Sequence, residues 1–312
     1  MKNLNKNPRK AFSLVEISIV VLIVGLLIAG ISKASDMIFD ANLKTGRSLT
    51  KGAKVNRMPS LSLWLETTLT ESLLDKERYD TTTISIWRDV NPQASSKLIF
   101  KKTGTPKYVE FGQDNMPAIG FTSSAVDTDY FLPYNSESSS TVASYSSTQI
   151  FSSANATIFM VLKPKSAVTE LLNFCPYDST ATPAFACAVG KEIKLALDVN
   201  GNVKFSFISG AATTADILST SSQSKKNLII VSALKDSVGN KLFINGETGG
   251  TAVANANTAT NSFSGTFRIG GLSGVEIYEV IVFSSSLNNA DRQNVEAYLG
   301  KKFSIPVVKT NI

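Results

Sequence analysis

Residues 12–31 read FSLVEISIVVLIVGLLIAGI, and this run determines how the rest of the chain is placed. Only Ser13, Glu16 and Ser18 interrupt its apolar side chains. A helix of this length rises about 30 Å, which is about the thickness of the hydrocarbon core of a bilayer. The run therefore predicts one membrane-spanning helix near the N-terminus.

The residues before this run are basic, and four of the six net positive charges of the chain lie within residues 1–10. Basic segments stay on the cytoplasmic side of a membrane. We therefore expect a single pass through the inner membrane with the remainder of the chain in the periplasm. An ordinary secretory signal fits poorly, because its apolar region would be shorter, would lack an acid and would end at a small-residue cleavage site.

Glu16 is the one acidic residue in the apolar run. A carboxylate in a membrane segment is costly without a partner, so it is read as a functional residue. The alternative is a signal-anchor helix that contains a single glutamate without a role.

The segment KAFSLVE at residues 10–16, followed by the apolar helix, resembles the class III leader of type IV prepilins and pseudopilins. The resemblance implies that residues 1–11 are a leader, that a prepilin peptidase cuts between Ala11 and Phe12, and that the new amine of Phe12 is methylated. It also implies that Glu16 pairs with the N-terminal amine of a neighbouring pilin or pseudopilin subunit, since a buried charge needs a matched partner. The family usually has glycine before the cut, where this chain has Ala11.

The helix is expected to continue beyond Ile31, because apolar and polar residues follow one another with helical spacing and no proline occurs between Ile31 and Pro59. We therefore predict a transmembrane and then amphipathic assembly helix over residues 12–58. The head is predicted to comprise residues 59–312.

The head is predicted to be mainly β, because short apolar runs rich in β-branched and aromatic residues alternate with Gly, Asn, Asp and Ser. Asn200-Gly201, the segment 238–240 and Asn245-Gly246 are predicted to be turns between antiparallel strands. The ending predicts a last strand and a short helix capped by Asn288 or Asn289 and stopped by Gly300. The predicted strands are 156–164, 193–199, 203–209, 227–234, 241–246 and 265–272.

The segments SLWLETT (62–68), SIWRDV (85–90) and MPAIGF (116–121), with the terminal strand and helix, resemble laminin-G-like domains of the concanavalin A-like lectin/glucanase fold. The resemblance implies an antiparallel β-sandwich, or jelly roll, with a short C-terminal helix. It also implies that Trp64 and Trp87 are core residues. The alternative role for these tryptophans is to stack against sugar rings.

The chain contains no histidine, which excludes Ser-His-Asp and Cys-His sites and the usual zinc ligand sets. Its two cysteines, Cys175 and Cys187, are predicted to form a disulfide in a head outside the cytoplasm. A reactive thiol is the alternative, but no basic residue adjoins either cysteine in the sequence.

Glycan hydrolysis is the enzymatic function that the fold resemblance raises, and a retaining glycosidase needs two carboxyl groups about 5 Å apart. Glu276 and Glu279 are three residues apart on a predicted strand, so we expect them on opposite faces. Glu276 is expected to be solvated, and Glu279 to pair with a cation at the edge of the sandwich. The sequence therefore predicts that the protein is not an enzyme.

No cofactor is predicted. The segment 198–202 has a faint likeness to a calcium loop, but a hairpin turn explains it better. A calcium site involving Asp127 and Asp129 stays open without support. Nucleic acid is not an expected partner, because the basic residues form no stripe with interleaved aromatics.

The sequence thus predicts a minor pilin or pseudopilin subunit that passes from the inner membrane into a pilus or pseudopilus, where it can reach the cell surface. Its head is expected to mediate adhesion to a glycan or a surface protein. The first alternative is a type II secretion pseudopilin that contacts cargo or the secretion machinery. The second is a membrane-tethered glycan hydrolase.

Overall fold

The chain forms two compact units, Met1–Asn42 and Leu43–Ile312. The structure is a computed structural model. It describes residues 13–121, 129–146, 150–151, 155–165, 169–176, 191–198, 200–209, 216–218, 227–236, 238–250, 253–254, 264–271 and 274–310.

Helix α1 (Leu14–Gly52) contains most of the predicted helical segment. At its start the Glu16 carboxylate accepts a hydrogen bond from the Ser13 amide at 2.8 Å, and the Ser13 hydroxyl accepts one from the Val15 amide at 3.3 Å. These reciprocal bonds satisfy amides that a helix start leaves without partners. The helix ends at Gly52, before Pro59 is reached, and a short 3₁₀ turn follows at Lys54–Arg57.

The first turns of α1 expose a continuous apolar surface. The large apolar side chains between Leu14 and Ile31 are 46–84% exposed. Within the described part of the chain, this is the one helix long and apolar enough to cross a membrane. An apolar surface of this extent requires a nonaqueous partner.

Two antiparallel sheets make up the β-sandwich of the second unit, with nine described strands in each. Sheet A has the order β15-β14-β13-β8-β18-β5-β4, with β1 paired to β18 and β16 paired to β14. Sheet B has the order β12-β11-β10-β9-β17-β6-β3-β2, with β7 paired to β17. The strands are β1 (Leu61–Glu66), β2 (Ile86–Arg88), β3 (Ile99–Thr103), β4 (Lys107–Val109), β5 (Ala118–Phe121), β6 (Tyr130–Tyr134), β7 (Tyr145–Ser146), β8 (Ala156–Pro164), β9 (Thr169–Cys175), β10 (Lys191–Leu197), β11 (Val203–Ser209), β12 (Asp216–Leu218), β13 (Ile229–Lys235), β14 (Gly239–Ile244), β15 (Glu247–Thr248), β16 (Val253–Ala254), β17 (Ser264–Gly270) and β18 (Val275–Phe283).

The predicted strands all occur, with ends within two residues of the predicted ones. The turn predicted at 238–240 lies earlier in the chain, because Gly239 and Asn240 already belong to β14, and the Asp236 carboxylate accepts hydrogen bonds from the amides of Val238 and Gly239. The other two turns have the expected chemistry. Asn245 and Gly246 have φ values of 52° and 81°, the left-handed conformation that Asn and Gly tolerate. At the β10–β11 turn, the Asp198 carboxylate accepts hydrogen bonds from the amides of Asn200 and Asn202, each at 2.8 Å. The turn thus occupies the carboxylate that had suggested a calcium loop.

The main core lies between the two sheets and is rich in aromatic side chains. Phe267 is fully buried, and its ring centroid lies 5.1 Å from Phe174, 5.8 Å from Phe151 and 6.3 Å from Phe100. Trp64 and Trp87 are 1% and 0% exposed, in agreement with their predicted core role. These tryptophans are therefore inaccessible to a sugar ring.

Sheet A is covered on both faces. Along β8, Ile158, Met160 and Leu162 face the main core, whereas Phe159 and Val161 belong to a second apolar cluster on the outer face. That second cluster includes side chains of helix α2 (Asn289–Lys302) and of the tail that follows it. A sheet buried on both faces reads as a continuous apolar run, which is the pattern of β8.

Helix α2 starts as predicted but does not stop at Gly300. The Asn288 side chain accepts a hydrogen bond from the Asp291 amide at 2.9 Å and caps the helix, which continues to Lys302. The prediction that Gly300 ends the helix was wrong. Gly300 instead allows close packing, since a Cβ there would lie 2.6 Å from a methyl group of Val307. Glycine thus permits the C-terminal tail to lie against the helix.

Phe267→Ala is expected to lower the free energy of unfolding by about 3–5 kcal/mol, because it removes a buried ring on which three other rings pack. The measurement is urea unfolding of the full chain in detergent. Val238→Ala, at an exposed position, is the control and should change the value by less than about 0.5 kcal/mol. Equal effects of the two variants would contradict the packing described above.

Candidate functional site

The outer face of sheet B carries many polar side chains, in contrast to the outer face of sheet A, although Tyr130, Leu132 and Cys175 form a small apolar cluster on it. On β11, Val203, Phe205 and Phe207 point to the main core, and Lys204 and Ser206 alternate with them on the outer side. The same alternation occurs on β10 and β17, whereas β9 places the consecutive residues Leu171 and Leu172 in the main core. This outer face is the candidate functional site, because polar side chains on a rigid sheet can make oriented hydrogen bonds to a ligand.

A row of polar residues crosses four neighbouring strands of this face. Arg268 of β17 is the cross-strand partner of Asn173 on β9, which pairs with Lys194 on β10, which pairs with Ser206 on β11. We call these four residues the polar row. Asp216 of β12 is next in register. Arg268, Asn173 and Ser206 are buried, whereas Lys194 is partly exposed.

Glu170 links two cations of the polar row. Its carboxylate lies 2.6 Å from Nζ of Lys194 and also forms an ion pair with Arg268. The guanidinium of Arg268 lies 5.6 Å from the centre of the Tyr130 ring. Charged donors such as guanidinium and ammonium groups favour ligands that carry hydroxyl and carboxylate groups.

Tyr134 and Lys101 extend the same face toward β3. Nζ of Lys101 lies 4.7 Å from the centre of the half-buried Tyr134 ring and donates to the carbonyls of Glu137 and Ser139. A fixed, half-buried tyrosine offers both a ring face and a hydroxyl. The sequence analysis did not identify this face, although polar residues at every second position of the strands could have indicated it.

The predicted separation of Glu276 and Glu279 onto opposite faces was wrong. A β-bulge between Ile277 and Glu279 inserts Tyr278, so both glutamates lie on the outer face of sheet A. Glu276 is buried rather than solvated: it lies 2.5 Å from Nζ of Lys165 and accepts a hydrogen bond from the Tyr278 hydroxyl at 3.0 Å.

Glu279 pairs with a cation, but beneath α2 rather than at the edge of the sandwich. Nζ of Lys302 lies 2.8 Å from Glu279 and 3.0 Å from Glu66, and all three side chains are fully buried. Tyr298 and Thr50 complete this group, which we call the lysine cluster. Its two carboxylates are closed off from solvent, so no glycan can reach them.

The pKa values in the lysine cluster shift in opposite directions. Burial raises the pKa of Glu279, and Lys302 offsets only part of this effect. Burial opposes ionisation of Glu66 as well, but Lys302 and hydrogen bonds from Thr68 and Leu69 outweigh it and lower the pKa of Glu66. Burial would lower the pKa of Lys302, but the two carboxylates raise it.

Asp89, in the segment SIWRDV, is a further buried carboxylate. One oxygen accepts hydrogen bonds from the amides of Trp64 at 3.0 Å and Asn91 at 2.9 Å. The other oxygen is buried and has no hydrogen-bond partner among the described residues. Burial raises the pKa of Asp89 to about 6. Its role is to hold the turn after β2 against β1.

Some of the other predicted site residues lie within the described part of the chain and some lie outside it. Glu16 lies in the first turn of α1, whereas Ala11 and Phe12 lie outside the described residues. Cys175 takes part in a disulfide, and Cys187 also lies outside the described residues. No group of acidic, cysteine or histidine side chains suited to a metal ion occurs among the residues that the structure describes. Asp129 accepts a hydrogen bond from the Thr105 amide at 2.6 Å, and Asp127 is outside the described ranges.

The chain was compared with proteins of known sequence and structure. No protein-family model and no curated protein matches it. A structure concerning cell entry of botulinum neurotoxin type C aligns over 78% of this chain with 13% identity and a TM-score of 0.52. The binding domain of botulinum neurotoxin DC in complex with SialylT aligns over 80% with 12% identity and a TM-score of 0.52. The head is a concanavalin A-like β-sandwich.

A sialidase of Trypanosoma rangeli aligns less well, with a TM-score of 0.46 and 14% identity over 78% of this chain. The chain covers 52% of the two neurotoxin chains and 33% of the sialidase. It therefore spans about half the length of the neurotoxin structures. At these identities the likeness establishes the fold alone, and the predicted sandwich with its N-terminal apolar helix is confirmed.

Asp89 is expected to make the head more stable in acid. Its folded-state pKa of about 6 exceeds the ordinary 3.8, so the contribution is complete below pH 3.8 and is lost as the pH rises through 6. This contribution of Asp89 to the free energy of unfolding is about 3 kcal/mol. Asp89→Asn cannot titrate, so the difference in unfolding free energy between the two proteins should change by this amount between about pH 4 and 7. If urea unfolding shows that the difference between the two proteins does not depend on pH, the pKa of Asp89 is not raised in the folded state.

Proposed function

We propose that the protein is a membrane-anchored, type IV pilin-like subunit that displays a glycan-binding head. The observation that carries the proposal is the combination, in one chain, of an exposed apolar helix bearing a single early glutamate with a concanavalin A-like sandwich. The helix accounts for anchoring and assembly, and the sandwich accounts for recognition. No enzymatic activity is proposed.

The N-terminal segment supports the pilin-like part of the proposal. Cleavage between Ala11 and Phe12 would create an amine four residues before Glu16. Within the described residues, the Glu16 carboxylate accepts a hydrogen bond from the Ser13 amide. In apolar surroundings it requires a cation as well, and the amine of a neighbouring subunit would supply one.

The polar row supports the recognition part. Lys194 is the partly exposed member of the polar row, and its ammonium group on this rigid face can donate hydrogen bonds to sugar hydroxyls or a carboxylate. Cell entry of botulinum neurotoxin type C depends on interaction with two ganglioside molecules, and the binding domain of neurotoxin DC was solved in complex with SialylT. We therefore propose that the ligand of this head is a glycan bound on the outer face of sheet B.

The mature protein is expected to begin at Phe12 with a methylated amine. The measurement is a mass spectrum of the N-terminal peptide of the protein purified from cells that contain a prepilin peptidase. Phe12 at the terminus is expected in those cells, and Met1 in cells that lack the peptidase. A mature peptide that retains Met1 in both cell types would remove the basis for the prepilin assignment.

A glycan array probed with the full chain in detergent is expected to show reproducible binding to one glycan class. Lys194→Gln should weaken that binding at least about tenfold, because it removes a charged hydrogen-bond donor from the polar row. Lys301→Gln is the matched control, since Lys301 is an exposed lysine of α2 on the opposite side of the sandwich. The affinity of the Lys301→Gln variant for the glycan should equal that of the unaltered chain.

The array is run with calcium and with a chelator. Equal binding in both conditions is expected, because no metal is part of the proposal. Silence in both conditions would instead favour a pseudopilin whose head contacts a protein. Binding that is the same for Lys194→Gln and the unaltered chain would place the ligand on another surface.

A further inference from the structure

The lysine cluster has the arrangement of an acyl-transfer site enclosed in the head. Nζ of Lys302 lies 2.8 Å from Oε2 of Glu279 and 3.0 Å from Oε2 of Glu66. All three side chains have no exposed surface. A nucleophile, an acyl group and a second carboxylate are therefore held together where water is excluded.

The other oxygen of Glu279 is held by two hydrogen-bond donors. Oε1 accepts from Nε1 of Trp64 at 2.7 Å and from the Tyr298 hydroxyl at 2.8 Å. Two donors aimed at one carbonyl oxygen stabilise the negative charge that develops there when a nucleophile adds to the carbon. The two oxygens of Glu279 are thus distinguished: Oε1 is polarised, and Oε2 faces the amine.

Glu66 is placed to carry a proton. Its carboxylate accepts hydrogen bonds from the amides of Thr68, at 2.8 Å, and Leu69, so its position is fixed by its own turn. These bonds and Lys302 keep Glu66 ionised despite its burial, whereas burial raises the pKa of Glu279. Two carboxylates whose environments differ in this way suit different roles: the ionised Glu66 suits that of a base, and Glu279 that of a protonated acid.

We propose that Nζ of Lys302 condenses with the carboxyl carbon of Glu279 to form an intramolecular isopeptide bond, with Glu66 as the proton carrier. One ammonium proton moves to Oε2 of Glu279, which leaves a neutral amine and a neutral acid. The nitrogen lone pair forms the C–N bond, and the C–Oε2 bond breaks. Glu66 then transfers a second proton from Nζ of Lys302 to Oε2 of Glu279, and that oxygen departs as water. The third proton remains on the amide nitrogen.

The surroundings favour the amide over the ion pair. The ion pair of Lys302 with Glu279 buries two charges and carries a desolvation penalty that a neutral amide does not, and Glu66, which loses its cation when the amide forms, is then neutralised by a proton. After condensation, Oε1 keeps its donors from Trp64 and Tyr298, and Glu66 keeps its donors from its own turn while the amide N–H replaces the ammonium. The bond would join the last turn of α2 to β18, a strand paired on both sides within sheet A.

The test is mass spectrometry of the full chain, purified in detergent, reduced and digested with a protease that does not cut after lysine. The expected result is one branched peptide joining residues 279 and 302, lighter than its two parts by the mass of one water. Recovery of the two separate unmodified peptides from the unaltered chain would overturn the proposal. That result does not depend on any variant folding.

Variants separate chemistry from structure. Lys302→Arg keeps the charge but lacks the amine, and its digest should contain only unlinked peptides. Glu66→Gln keeps the hydrogen-bond acceptor but cannot carry the proton, and it should lose most of the cross-link while retaining the circular dichroism spectrum of the unaltered chain. A cross-link of full yield in folded Glu66→Gln would refute the role of Glu66.

Discussion

The burial of strand β18 on both faces is the constraint on which the head depends. Val275–Phe283 pairs with β8 along its length, and its two faces contribute to two separate apolar clusters. The bulge at Tyr278 then directs both Glu276 and Glu279 outward, where Glu276 pairs with Lys165 and Glu279 meets side chains of α2. Buried carboxylates require cations and donors. Lys302 and Tyr298 meet that requirement, and this fixes how the C-terminal helix lies on the sheet.

Coverage of sheet A leaves sheet B as the face that can carry a ligand. Because α2 and the C-terminal tail pack on sheet A, its strands alternate between two apolar environments. Strands β10, β11 and β17 of sheet B alternate between the main core and polar side chains instead, which is the pattern of a sheet with one face directed away from a core, while β6 places Tyr130 and Leu132 in a small apolar cluster on that face. The polar row therefore follows from the same layering that buries the lysine cluster. Under the proposed function, recognition and rigidity belong to opposite sides of one sandwich.

Local patterns explain what could be predicted from the sequence. Strand β8 is marked by a continuous apolar run, and the Asn200-Gly201 hairpin by period-two alternation of its strands and by turn residues, all of which are properties of neighbouring residues. The bulge at Tyr278 was not predictable in this way, because it depends on the register with β8. The ion pair of Glu66 with Lys302 joins residues 236 positions apart, and no short-range signal marks it. The packing role of Gly300 likewise depends on the tail that returns to it.

One physical rule connects the two ends of the chain: a charge in apolar surroundings needs a partner. In the head, the rule is satisfied within the chain, since Glu66 and Glu279 share Lys302. In the first turn of α1, Glu16 accepts a hydrogen bond from the Ser13 amide, and the exposed side chains around it are apolar. An amide reduces the cost of burying that carboxylate but does not neutralise it. Under the proposed function the missing cation comes from a second subunit, so insertion of the helix into an apolar environment and pairing of subunits become one event.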